Sequence, residues 1–136
     1  MSYRIYSDGA SRGNPGPSGI GAVILDGHGK IVHEISRYIG ETTNNVAEYS
    51  ALLAALDHCV AKKWEPVEVC ADSELLIRQL EGKYKVKHPN LVGLHQKALT
   101  LLGNLTCLGF RHVPRELNKL ADSLANEGID NHFSKK

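Results

Sequence analysis

The chain has 136 residues, 42% of them hydrophobic and 23% charged, with 16 Lys and Arg against 15 Asp and Glu for a net charge of +1. Those proportions suit one globular domain with its own core and exclude a disordered chain, a collagen-like repeat and a coiled-coil rod. No apolar run approaches the roughly 18 residues of a membrane-spanning helix and the N-terminus carries no export-type apolar stretch, so a cytoplasmic protein is expected.

The front third reads as strands and tight turns. The strands expected are Tyr3–Asp8, Gly19–Leu25 and Ile31–Ile39; the first and third alternate apolar and polar residues, as half-buried strands do, while Ile20–Leu25 is continuously apolar, as a strand buried on both faces would be. Asp26-Gly-His-Gly29 is a hairpin turn signal, and Gly9–Gly19 is too rich in Gly, Pro and Asn for either regular element. After Thr42 the apolar spacing becomes helical, through Val46, Leu52, Leu56 and Cys59, and closes near Lys62 and Lys63, where cations suit a helix C-terminus. A short strand Val67–Ala71, a short helix Ser73–Leu80, a helix Asn90–Leu102, a strand Leu105–Val113 and a helix Arg115–Glu127 stopped by Gly128 complete the order. Residues 1–128 are then one domain and 129–136 a frayed tail. This succession predicts an α/β fold with one mixed sheet covered by helices on both faces.

Three cysteines (Cys59, Cys70, Cys107) with no metal-finger spacing read as free thiols in a reducing compartment. A near-neutral net charge neither demands nor forbids a polyanionic partner, since the placement of charge is what matters.

Four acidic residues stand at informative places. Asp8 closes the first strand before the glycine-rich loop, and Asp72 closes the fourth strand and opens a helix; ligands of open α/β sheets gather at such carboxyl ends. Glu48 lies in the first turn of the long helix and Asp122 within the last one. Each has an ordinary reading as well. Asp8 could shape a turn, Asp72 could cap a helix, Glu48 could complete a capping box with Asn45, and Asp122 could face solvent. Composition and spacing alone leave the chemistry open.

The surrounding residues narrow it. Tyr6-Ser-Asp-Gly-Ala10 with Gly13-Asn-Pro-Gly-Pro17, Thr42-Thr-Asn-Asn-Val-Ala-Glu-Tyr49, Ala71-Asp-Ser73, and Pro114-Arg-Glu-Leu-Asn-Lys-Leu-Ala-Asp122 together resemble ribonuclease H of type 1, in that family's order and spacing and over essentially the whole chain. The resemblance implies a three-layer fold, a five-stranded mixed sheet with helices on both faces. It implies an endonuclease that hydrolyses the RNA strand of an RNA–DNA hybrid and leaves 5′-phosphate and 3′-hydroxyl ends. Asp8, Glu48, Asp72 and Asp122 match the family's catalytic, metal-binding acids, with Mg²⁺ or Mn²⁺ as cofactor, two ions when substrate is bound. The chemistry agrees: a pair of such ions can activate water and take up charge on the leaving oxygen, and Mg²⁺ favours carboxylate and water oxygens.

Substrate contacts follow from the same match. Asn14, Asn44 and Asn45 correspond to residues touching the RNA strand, and Thr43 to one that seats a phosphate of the DNA strand; small donors and acceptors suit 2′-hydroxyls. The chain departs from many relatives in lacking a basic insertion after the short helix. Only Lys83, Lys85 and Lys87, alternating with Tyr84 and Val86, remain there as possible phosphate contacts, so weaker substrate affinity is expected. A second departure concerns the family's mobile histidine before the last helix. His112 reads as a strand residue, and Arg115 is the candidate phosphate contact beside the cleft. The chain is expected to act as a monomer. Rival readings are another nuclease of the same fold, or a catalytically weak module that binds hybrid or double-stranded RNA.

Overall fold

The computed structural model describes residues 2–134. Its sheet runs β3-β2-β1-β4-β5, formed by β1 (Tyr3–Ser11), β2 (Gly16–Leu25), β3 (Ile31–Thr42), β4 (Val67–Ala71) and β5 (Cys107–His112). The pairs β1–β2 and β2–β3 are antiparallel, whereas β1–β4 and β4–β5 are parallel. The helices are α1 (Asn44–Lys62), α2 (Glu74–Leu80), α3 (Pro89–Gly103) and α4 (Lys119–Ser134), the last preceded by a 3₁₀ turn at Arg115–Leu117.

Alternation along the strands sorts the core into two layers. Ile5, Ile20, Ile24, Val67 and Val69 face a cluster with Leu52 and Leu56 of α1, Leu76 and Ile77 of α2 and Ala98 of α3. On the opposite face, α4 lies so close to the sheet that a Cβ on Gly19 or Gly21 would overlap the carbonyl oxygens of Ala125 and Ala121. Among the described residues no helix is long and apolar enough to cross a membrane.

Element boundaries shift most from the sequence expectation at three places. β1 continues past Asp8 to Ser11 and β2 begins at Gly16, so most of the glycine-rich stretch is a hairpin. Hydroxyls hold it there: Ser11 and Ser18 both donate to the Thr42 carbonyl oxygen, at 2.9 and 3.2 Å. β3 likewise runs to Thr42. The last helix starts at Lys119 rather than Arg115, and it passes through Gly128 to Ser134. Residues 129–134, expected as tail, are helical because Ile129 is fully buried and Gly128 rides on the β3 backbone, where a Cβ would stand 2.7 Å from the Arg37 carbonyl. The expected tail also included Lys135 and Lys136, which lie outside the described residues.

Candidate active site

The last backbone pair between β1 and β4 is Ser7 with Ala71, and the next residues along the chain are Asp8 and Asp72. Glu48 reaches the same spot from α1. Oxygens of Asp8, Glu48 and Asp72 all lie within 4.8 Å of one another, the one such group of three or more potential metal ligands among the described residues. Asp122, one turn into α4, lines the same cavity of about 380 Å³, together with Gly9, Ser11, Asn44, Ser73 and Arg115.

The ordinary readings of the acids do not survive this geometry. The cap of α1 is Thr43, whose hydroxyl accepts from the Val46 amide at 3.3 Å, and the cap of α2 is Ser73, which accepts from the Leu76 amide at 3.2 Å. Neither Glu48 nor Asp72 is spent on a helix end. Glu48 instead accepts the Gly9 amide hydrogen across 39 residues, at 3.2 Å. Asp8 and Glu48 are only 6% and 7% exposed. Burial first, then the charges of Glu48 and Asp72, pushes Asp8 up to about 9. Burial first and then Asp72 likewise raise Glu48, against the lowering pull of the Gly9 amide. Crowded carboxylates in that state attract protons or cations. The donors are all hard oxygens, with no sulfur or imidazole among them, which fits a hard divalent ion of the Mg²⁺ or Mn²⁺ type.

Arg115 is the one cation lining the cavity among the described residues, its Nε 3.7 Å from Asp72 Oδ2 and its side chain 86% exposed. His112 is the last residue of β5, exposed and absent from the cavity lining.

The four predicted substrate residues gather beside the acids. Asn14 Oδ1 accepts from the Asn44 amide at 3.0 Å, tying the β1–β2 hairpin to the start of α1. Asn44 faces the acidic cavity, while Asn14, Thr43 and Asn45 line an adjoining pocket of about 190 Å³ with His88 and Leu91. His88 escapes a reading of the sequence, where it is one scattered histidine among seven. Its local signal is the pair His88-Pro89 opening a helix: Nδ1 accepts from the Asn90 amide at 3.1 Å and caps α3. Two helix N-termini, those of α1 and α3, thus meet at one polar pocket, an arrangement that favours anions. Lys83, Lys85 and Lys87 are exposed in the α2–α3 connection and line neither cavity; Lys83 pairs with Glu81 at 3.5 Å.

Comparison with known proteins gives consistent likenesses. The "Reverse transcriptase-like" family description matches residues 6–128. A ribonuclease HI of Halobacterium salinarum is 44% identical over 125 residues, 92% of this chain and 63% of that protein. The crystal structure of that organism's enzyme superposes with a TM-score of 0.93 at 42% identity, covering 96% of this chain and 99% of the other. A compost-derived ribonuclease H, solved in complex with an RNA/DNA hybrid, gives a TM-score of 0.92 at 49% identity, over 98% and 100% of the two chains. A bifunctional protein of Mycobacterium tuberculosis is 43% identical over 96% of this chain, which spans only 36% of that longer protein.

Proposed function

The chain belongs to the ribonuclease H family, and on that premise we propose that it hydrolyses the RNA strand of RNA–DNA hybrids endonucleolytically, leaving 5′-phosphate and 3′-hydroxyl ends. The main support is the convergence of Asp8, Glu48 and Asp72 within 4.8 Å, at the floor of a cavity bordered by Asn44 and Asp122. Asp8, Glu48, Asp72 and Asp122 would hold divalent ions, Mg²⁺ or Mn²⁺, two of them with substrate bound. Such ions supply Lewis-acid activation of water and neutralise charge growing on the leaving 3′ oxygen.

The remaining work falls to the chain itself. The Gly9 amide keeps the Glu48 carboxylate turned toward Asp8 and Asp72. Asn14, Asn44 and Asn45 offer amide donors and acceptors to 2′-hydroxyls, the groups that tell RNA from DNA. Thr43 and His88, at the meeting of two helix N-termini, seat a phosphate of the DNA strand. Arg115 reaches from the cavity rim toward the phosphate chain, and Lys83, Lys85 and Lys87 add a diffuse positive stretch farther out. Contacts of this kind read sugar and phosphate, so little sequence preference is expected.

All four acids come from one chain, and we take the active species to be a monomer. Cys59, Cys70 and Cys107 are free thiols, with burial pushing the first two up to about 11, and we assign the protein to the reducing cytoplasm. The deciding experiment compares labelled hybrid, double-stranded RNA and double-stranded DNA, with and without Mg²⁺ or Mn²⁺. Metal-dependent cutting confined to the RNA of the hybrid, lost in Asp8→Asn and Asp72→Asn, is expected. Equal cutting by both variants would sink the assignment, and tight hybrid binding without cutting would favour a binding module.

A further inference from the structure

Backbone pairing between β1 and β4 stops at Ser7 and Ala71, so Asp8 and Asp72 lie beyond the last rung that holds the two strands at a fixed spacing. One side chain spans the opening. Asn118, 1% exposed, donates through Nδ2 to the Ser7 carbonyl oxygen at 2.9 Å and to Asp72 Oδ1 at 3.2 Å. Its own carbonyl oxygen accepts the Asp122 amide hydrogen at 3.1 Å, so the same residue starts the turn of α4 that carries Asp122. Its Oδ1 is buried without a partner. Both neighbours of Nδ2 are acceptors, so flipping the amide would set oxygen against oxygen; the two hydrogen bonds leave one orientation.

We propose that Asn118 is the positioning residue of the acidic centre, a buried amide that replaces the missing rung between β1 and β4 and holds Asp72 at its distance from Asp8 while anchoring the helix of Asp122. Asn118 does not line the acidic cavity, so it acts through the acids and not on the substrate. The role rests on the metal-dependent reading above. Precise spacing matters because Mg²⁺ demands near-ideal octahedral oxygen ligation, and because a misplacement of about 1 Å in a reacting group can cost about a hundredfold in rate.

The test uses Asn118→Ala and Asn118→Ser in the whole chain. Ion-free protein is titrated calorimetrically with Mn²⁺ alone, and kcat and KM for hybrid are measured separately. Both variants are expected to bind Mn²⁺ at least fivefold more weakly and to lose at least tenfold in kcat, with KM within twofold of the parent. A residue that merely stabilised the fold would lower the melting temperature and leave ion affinity of the folded protein intact. Ion affinity and kcat within twofold of the parent, in variants folded by circular dichroism, would overturn the role. Should neither variant fold, the parent's Asn118 side-chain amide resonance decides: slow hydrogen exchange and a shift on adding Mg²⁺ support the bridge, whereas fast exchange or no shift removes it. A parent that neither binds Mn²⁺ nor cuts hybrid overturns the functional proposal, and the positioning role with it; a competent parent with unaffected variants overturns the positioning role alone.

Discussion

The Gly9 amide donates to Glu48 Oε1 at 3.2 Å, and Gly9 has no side chain because α1 occupies the place where one would stand. A Cβ there would overlap the Ala47 carbonyl carbon and the Glu48 nitrogen. The obstruction is backbone, which cannot rotate away as a side chain tip can. Gly9→Ala is therefore expected to push the start of α1 outward and take Glu48 with it. Activity on hybrid should fall about a hundredfold, and overpacking should cost about 1–3 kcal/mol, read as a lowered denaturant midpoint. A variant as active as the parent would mean that Glu48 needs no such closeness.

Asp8 links activity to stability with opposite signs. Burial foremost, then Glu48 and Asp72, pushes it up to about 9, so the folded ion-free protein holds a proton that the unfolded chain releases near pH 4. The folded state then binds more protons between those values. Stability from this site is greatest below about pH 4 and is lost as pH rises toward about 9. Asp8→Asn should abolish cleavage yet melt higher than the parent at pH 8 in EDTA, with the difference shrinking toward pH 4. Added Mg²⁺ should raise the parent's melting temperature more at pH 8 than at pH 5. A parent that outlasts Asp8→Asn in EDTA at pH 8 contradicts this account of the site.

Gly128 offers a test in which helix propensity and packing disagree. At an exposed helix interior, Gly to Ala stabilises by about 1 kcal/mol. Here a Cβ would press on the Arg37 backbone at 2.7 Å. Gly128→Ala is expected to destabilise by about 1–3 kcal/mol and to lower kcat by displacing Asp122. A rise in melting temperature would show that α4 can lift from β3 freely.

Substrate grip should divide between the polar pocket and the lysines. Thr43→Ala removes the cap of α1, costing about 1 kcal/mol, and removes a hydroxyl from the pocket. KM should rise several-fold in both Thr43→Ala and His88→Ala, with kcat nearly unchanged. Replacing Lys83, Lys85 and Lys87 together by Ala should flatten the salt dependence of hybrid binding by less than the roughly 0.7–0.9 per residue of a full phosphate contact, since these side chains line neither cavity. Competition binding over a range of KCl concentrations measures this slope.

Much of the architecture is legible along the chain. The unbroken apolar run of β2 and the helical spacing from Val46 to Cys59 report burial within a few residues, while the alternation in β3 marks the strand although only Ile35 of it is buried. Two boundaries were hidden because local cues gave the wrong answer. The Gly- and Pro-rich hairpin stays paired through serine hydroxyls bonded to Thr42, far along the chain, and Gly128 reads as a stop although it serves as a contact. His88 is marked locally only as a helix cap; its place beside Asn14, Thr43 and Asn45 emerges only where α3 meets α1.

Residue order by itself determined the elements, the two apolar layers and the motif blocks that mark the family, since each depends on neighbours a turn or a pleat away. Whether Glu48 caps a helix or faces Asp8, and whether Asp72 stands alone or beside both, was decided only by the folded chain. Those distances are set by how closely α1 approaches β1 at Gly9 and by the Asn118 bridge, 111 residues from Ser7 in sequence, while the close approach of α4 at Gly21 places Asp122. Contacts of that span leave no periodic trace for a local pattern to carry.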